Sequence, residues 1–102
     1  MKNGINEGMI KIDTESASLL GFTSDKFQPD SYLWRNGNTI SISLIEAKQK
    51  GAFRNLIEAI LQKGFDFQIP TPSIRMREIG AKQGWFNCLV DGVELLTNRE
   101  VS

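Results

Sequence analysis

The stretch from residue 39 to residue 69 constrains the fold more than any other part of this sequence. Residues 39–45 alternate apolar and polar side chains and are rich in β-branched types, which is typical of a strand, and residues 65–69 alternate as well. Between them, apolar residues recur at the spacing of one helix face from Gly51 to Lys63, and Gly64 ends the helix. That face consists of Phe53, Leu56, Ile57, Ile60 and Leu61. A strand, a helix and a strand of these lengths predict a right-handed crossover between parallel neighbours.

Two prolines follow this unit. Neither Pro70 nor Pro72 has an N–H to donate to a neighbouring strand, so we expect pairing to fail and the sheet to open at this end. Thr71 is the predicted N-cap of a second helix that has Pro72 at its first position and ends at about Gln83.

Two hairpins flank these elements. Residues 32–35 and 39–45 form the first, about the turn 36–38, and residues 85–90 and 93–98 form the second, about Asp91-Gly92. Upstream, residues 9–12 predict a short edge strand, and residues 14–20 a short helix capped by Asp13 that ends before Gly21. The predicted fold class is therefore α+β, with a mixed sheet.

Composition excludes several kinds of chemistry. The chain has 102 residues, no histidine and one cysteine, Cys88. It cannot form the usual Cys/His zinc sets, a Ser/His or Cys/His nucleophile pair, or a His general base, and we expect no metal site. One domain spanning residues 1–102 buries enough surface to fold without disulfides. Because no apolar run has the length of a signal or membrane segment, we expect a cytoplasmic protein without a membrane partner.

Positive charge is concentrated in one internal stretch. The chain has 12 Lys and Arg and 12 Asp and Glu, but residues 48–82 hold seven basic and three acidic residues. An anionic ligand would bind there, although exposed helix faces also carry such charges. The overall neutrality argues against a nucleic-acid partner, because duplex binding needs a broadly basic surface.

The segment between the first crossover strand and its helix has the features of an anion site. Unsatisfied N–H groups at a helix start carry partial positive charge, and a glycine there allows close approach of a phosphate or pyrophosphate. A glycine before a helix is also common as a plain turn. The residues we expect to bind such an anion are Lys48, Gln49, Lys50, Gly51, Ala52, Phe53 and Arg54.

The order of these elements and two spaced motifs resemble the GNAT acyltransferase superfamily. The family's pyrophosphate loop falls on Lys48, Gly51 and Phe53, and its helix leucine pair on Leu56 and Ile57. The later family signature falls on Ser73, Met76, Ile79, Gly80, Lys82, Gly84 and Trp85. The resemblance covers about residues 32–98 and leaves residues 1–31 as an abbreviated N-terminal part.

The resemblance implies a sheet splayed between the strand ending near Glu46 and the strand ending at Ile69, with acetyl-coenzyme A in the opening. It further implies that a strand N–H near Leu44 or Ile45 polarises the thioester carbonyl, and that Ser73 stands where the family often has an asparagine that contacts the cofactor. The acceptor would be an amine, on a small molecule or on a protein.

Glu46, at the predicted end of the central strand, is the candidate general base, with Glu15 and Asp30 as weaker alternatives. Gly80 stands where the family often has a tyrosine acid, and Tyr32 is a candidate substitute. In the alternative interpretation, Glu46 is a solvated surface carboxylate and Tyr32 a cross-strand packing residue. Cys88 lies in a predicted apolar strand with alternating side chains, and we expect it to be an inert buried thiol.

A second interpretation of the whole chain is a catalytically inactive GNAT-like interaction module from a phage or another mobile element. Phe53 favours it if the ring crowds the pyrophosphate, although the ring also completes the apolar helix face. Gly80 and the short N-terminal part favour it too. Exposed sheet edges leave room for a homodimer under either interpretation.

Overall fold

The computed structural model describes residues 4–98, apart from the side chains of Ser43 and Leu44, and these residues form an α+β domain. The strands are β1 (Gly8–Lys11), β2 (Tyr32–Asn36), β3 (Thr39–Leu44), β4 (Asp66–Pro70), β5 (Phe86–Val90) and β6 (Val93–Thr97). The helices are α1 (Glu15–Leu19), α2 (Ala52–Gln62) and α3 (Ile74–Gln83). They accompany one six-stranded sheet with the order β1-β2-β3-β4-β6-β5. β3 and β4 are parallel and the other neighbours antiparallel, so the predicted mixed sheet is confirmed.

Both predicted hairpins are present, and each closes through a two-residue turn. Asn36 pairs with Thr39, which leaves Gly37 (φ 62°) and Asn38 as the first turn. In the second turn Asp91 has φ 51° and Gly92 has φ 79°. This left-handed pair matches the twist of the flanking strands.

α2 begins and ends where the sequence predicts. Gly51 is the N-cap with φ 83°, and Gly64 follows the last turn with φ 85°. The predicted apolar face is narrower than its pattern suggests. Its centre, formed by Leu56, Ile57 and Ile60, is buried, whereas Phe53 is half-buried and Leu61 is exposed.

The sheet opens between β3 and β4. Their ladder begins at Thr39 and Asp66 and ends at Ser41 and Gln68, although both strands continue. Asp66 N–H donates towards β3, to Asn38 O at 2.9 Å, and Phe67 N–H donates to the other side. Backbone direction alternates along a strand, so Pro70 faces β3 at the position where an N–H is missing. On its other side Pro70 remains paired with β6.

Two predicted helix caps are wrong by one or two residues. α1 is capped by Thr14, whose Oγ1 accepts from Ala17 N, and not by Asp13, which accepts from Ser24 N instead. α3 is capped by Ser73, whose Oγ accepts from Met76 N at 3.2 Å. Thr71 lies two residues before this cap and its N–H donates to Glu94 O, at 2.8 Å, on β6. Pro72 therefore precedes the cap and, contrary to the sequence prediction, is not the first residue of the helix.

The hydrophobic core covers one face of the sheet. Ile10, Leu33, Ile40, Phe67 and Leu96 are buried on that face together with apolar residues of α1 and α2. On the opposite face the cross-strand pair Met9 and Trp34 is exposed. Among the described residues, no helix combines the length and apolar character needed to cross a membrane.

Candidate functional site

A cleft of about 670 Å³ lies beside the opening of the sheet. Three parts of the chain form it: the segment after β3, the first turn of α2 and the first two turns of α3. Its walls are Ile45, Glu46, Ala47, Lys48, Gln49, Lys50, Gly51, Phe53, Arg54, Ser73, Arg75, Met76 and Ile79.

The segment after β3 is held in place by residues 24–28. Lys48 N–H donates to Lys26 O at 2.7 Å, and Ala47 forms an isolated antiparallel bridge with Phe27. Two side chains add to this attachment: Lys48 Nζ donates to Ser24 O and Gln49 Nε2 donates to Asp25 O, each at 2.9 Å. The backbone of the cleft floor is therefore fixed by hydrogen bonds before any ligand arrives.

The N-terminus of α2 presents free donors to the cleft. Gly51 supplies no side-chain cap, and the first turn has no acidic residue. The N–H groups of Ala52 and Asn55 donate to the Gln49 and Gly51 carbonyls. Within residues 4–98, no hydrogen bond involves the N–H groups of Phe53 and Arg54. Two unsatisfied donors and the positive end of the helix dipole therefore favour an anion.

The charges around the cleft have the same sign as this helix end. Lys48, Lys50, Arg54 and Arg75 line the cleft, against the single carboxylate of Glu46. Arg54 lies 3.5 Å from Glu58, but both side chains are more than half exposed, so this pair holds Arg54 weakly. The cleft thus combines backbone donors with an excess of cationic side chains.

One wall of the cleft is apolar. Phe53 lines it together with Ile45, Met76 and Ile79, and its ring packs edge-on against Trp85 at a centroid distance of 6.5 Å. Trp85 in turn packs against Phe67 in the core, at 4.8 Å. The Phe53 ring therefore does two things: it extends the core, as the helical pattern predicts, and it forms part of the wall.

Most of the predicted site residues meet in this cleft, with three exceptions. Ala52 is buried and does not line the cleft. Tyr32 is half-buried on β2 and does not line the cleft, and the side chain of Leu44 lies outside the described residues. Sequence reasoning did not assign Ala47, Arg75, Met76 or Ile79 to the site, although Arg75 belongs to the basic stretch and the last two to the α3 pattern.

Glu46 is exposed at the cleft, and neither Glu15 nor Asp30 lines it. The Glu46 backbone is bound on both sides, since its N–H donates to Ser31 Oγ at 3.1 Å and its carbonyl accepts from Gln28 N. Cys88 lies away from the cleft on β5, and because it is half-buried the prediction of a buried thiol is wrong.

Next to the attachment of Lys48 to Ser24, hydrogen bonds from the hydroxyl and the N–H of Ser24 lower the pKa of Asp13 below its ordinary value of 3.8, and Lys48 contributes in the same direction. Ionised Asp13 thus helps to hold the Ser24 segment, whose carbonyl accepts from Lys48 Nζ.

Comparison with known proteins supplies no relative from which a role could be transferred. No family model matches the chain, and no curated protein and no solved structure matches it at a significant level.

Proposed function

We propose that this chain binds an acyl-coenzyme A in the cleft and transfers the acyl group to an amine, with acetyl-coenzyme A as the first ligand to test. One observation carries the proposal: the segment that follows β3, beyond the end of its pairing with β4, lines a cleft together with the α2 N-terminus, with its two free N–H groups, and four cationic residues. Acyl-coenzyme A suits this arrangement because its pyrophosphate can bind the helix N-terminus and the cations, while its long, polar and extended arm can pair with the end of β3 that is unpaired on the β4 side.

In this proposal the pyrophosphate binds the N–H groups of Phe53 and Arg54, with Lys50 beside it. Lys48 adds positive charge while its Nζ stays bonded to Ser24 O. The extended arm enters the opening and takes the place that a neighbouring strand would fill beside Ile42–Ile45. The thioester carbonyl accepts a hydrogen bond from a strand N–H near Leu44 or Ile45, which stabilises the oxyanion that develops on attack.

The transfer itself is a direct attack of the amine nitrogen on the thioester carbon. A C–N bond forms, the C–S bond breaks, and the products are an amide and free coenzyme A. Glu46 removes the surplus proton of the amine, directly or through a water, and the departing thiolate takes a proton from solvent. Holding both reactants in one cleft supplies most of the rate advantage.

Ligand-induced stabilisation tests cofactor binding. Acetyl-coenzyme A at about 100 times its dissociation constant should add about 2.7 kcal/mol to the free energy of unfolding. Gly51→Glu places bulk and negative charge at the α2 N-terminus and should abolish the shift. Gly37→Glu is the matched control, because Gly37 also has a positive φ and open space around it but lies at the other end of β3. The absence of any shift with the unmodified protein at millimolar ligand would refute the cofactor assignment.

A transfer assay tests Glu46 separately. Acetylated products of a panel of primary amines are measured by mass spectrometry for the unmodified protein and for Glu46→Gln. We expect the variant to keep its thermal shift with acetyl-coenzyme A and to lose on the order of a hundredfold in rate. Glu15→Gln, a change of an exposed α1 carboxylate outside the cleft, should leave the rate as it was. An unchanged rate in Glu46→Gln would remove Glu46 from the mechanism.

A second candidate function is binding of the acyl-coenzyme A without transfer, as an interaction module. The observation that favours it concerns Gly80, where a Cβ would lie 2.8 Å from Leu96 Cδ1. A tyrosine at this position, where the family often has its acid, would have to displace the buried Leu96 side chain. Tyr32 does not line the cleft either. A protein that shows the thermal shift but acetylates none of the amines supports this candidate over the enzyme.

A further inference from the structure

The outer side of β5 offers unpaired backbone groups. Val90 and Val93 flank the two-residue turn and so form a hydrogen-bonded pair. Because direction alternates along the strand, the N–H and C=O groups of Asn87 and Leu89 point away from β6. Within the described residues, nothing hydrogen-bonds to them. β5 is therefore a free edge with two donors and two acceptors.

Nothing in the sequence of β5 protects this edge. Its five residues include no charge and no proline, which are the usual means of preventing an edge from pairing. Leu89 is 75 % exposed and Phe86 is 43 % exposed. The Asn87 side chain is turned back across β6, where its Nδ2 donates to Glu94 Oε2 at 2.8 Å, so it does not occupy the outer side.

The other edge of the sheet is protected. On β1, the Asn6 amide donates to the Met9 carbonyl at 3.2 Å, and the strand ends at the exposed cation Lys11. Gly8, at its start, has φ 82°, which departs from extended geometry. Head-to-tail pairing of β5 with β1 of another copy, which would build an open filament, is thus disfavoured.

We propose that two copies of this chain pair through β5, antiparallel and with Cys88 of each copy opposite Cys88 of the other. In this register Asn87 of one copy forms a hydrogen-bonded pair with Leu89 of the second, and the two-fold axis repeats the pair. We take the partner to be a second copy of this chain, because two β5 strands can pair without bringing like charges together: β5 has no charged residue. The same register places Asp91 of one copy opposite residue 85 of the other, so this acidic residue approaches the end of α3 that carries Lys82, a charge of opposite sign.

Sedimentation of the full chain over a concentration series tests the dimer. We expect the mass to rise from 11.5 kDa to twice that value. Leu89→Lys puts a charge on the edge without disturbing the core and should weaken the dimer at least tenfold. Ile74→Lys is the matched control, since Ile74 is 72 % exposed on α3, and it should leave the dimer intact. A protein that stays monomeric up to about 1 mM overturns the proposal, because only dimers weaker than millimolar would escape detection.

Disulfide formation tests the register. Opposed Cys88 residues form a non-hydrogen-bonded pair with Cα atoms about 4.5 Å apart, which a disulfide can span. Diamide, which takes up the two electrons and two protons of two thiols, should therefore cross-link the dimer. In a Cys88→Ser, Asn87→Cys variant the two cysteines are diagonal, about 7–8 Å apart, and should not cross-link. A dimer that resists cross-linking through Cys88, or that Leu89→Lys does not weaken, overturns the assignment to β5.

Discussion

Gly80 sets how closely α3 approaches the sheet, and adding one methyl group there should destabilise the fold. A Cβ at this buried position would lie 2.8 Å from Leu96 Cδ1 and 3.3 Å from Trp85 Cε3. Leu96 is itself only 2 % exposed on β6, so it has little room to move away. The contact also places the first turns of α3, which form one wall of the cleft.

Two terms oppose each other in Gly80→Ala. Alanine favours the helix by about 1 kcal/mol over glycine, while overpacking a filled core costs about 2 kcal/mol, so we expect a net loss of about 1 kcal/mol. Leu96→Ala alone should cost about 3 kcal/mol. In the double variant the new methyl group enters the space that Leu96 vacates and the helix gain remains. The double variant should therefore lose about 2 kcal/mol rather than the additive 4 kcal/mol, a coupling of about 2 kcal/mol.

Urea unfolding followed by circular dichroism and tryptophan fluorescence measures all four free energies. Ala81→Gly is the matched control, because Ala81 is exposed in the same helix and reports the propensity term without the contact. Ala81→Gly should lower the free energy of unfolding by about 1 kcal/mol, and in combination with Leu96→Ala the two losses should be additive. Additivity of Gly80→Ala and Leu96→Ala to within about 0.5 kcal/mol, or a Gly80→Ala protein more stable than the original, would refute the close approach of α3 and β6.

Three further predictions follow from the caps, the acidic residues and the aromatic cluster. Ser73→Ala removes the α3 cap and should cost about 1 kcal/mol in urea unfolding, whereas Thr71→Ala should cost less than half of that; equal losses would contradict the observed cap. Because hydrogen bonds from Ser24 lower the pKa of Asp13, the ionised carboxyl stabilises the fold above pH 3.8 and this contribution disappears as the pH falls through the lowered pKa. An NMR titration should place the Asp13 midpoint below 3.8, and Asp13→Asn should flatten the acid limb of the stability curve; a midpoint at or above 3.8 would count against the hydrogen bonds. Phe53→Ala removes a half-buried ring and should cost about 2 kcal/mol, with a change in tryptophan fluorescence, and no change in either would show that the ring packs on nothing.

The elements with strong local signals were predictable. α2 follows from its apolar spacing and from two glycines with positive φ, Gly51 and Gly64, and the second hairpin follows from Asp91-Gly92. The end of pairing between β3 and β4 was predictable because it depends on a missing N–H at Pro70. The caps of α1 and α3 were not, because in each case two neighbouring residues have suitable side chains.

The loop from Lys48 to Arg54 was recognisable as an anion site because it is contiguous and basic. Its attachment to residues 24–28 and its apposition to Arg75, Met76 and Ile79 depend on chain segments more than 19 residues away, for which local patterning holds no signal. The same limit applies to Tyr32, whose place outside the cleft is set by its strand register.

The sequence by itself determined the periodic helix, the turns and the point where the sheet opens. Each of these depends on a local property of the residues: the tolerance of glycine for a positive φ, the missing N–H of proline, or the helical spacing of apolar side chains. Only the tertiary structure decided which segments meet. The Glu94 carbonyl accepts the Thr71 N–H, Ser73 rather than Thr71 caps α3, and the absence of a side chain at Gly80 lets that helix lie close to Leu96. These choices are contacts between segments far apart in the chain, and their free energy exists only when both partners are in place.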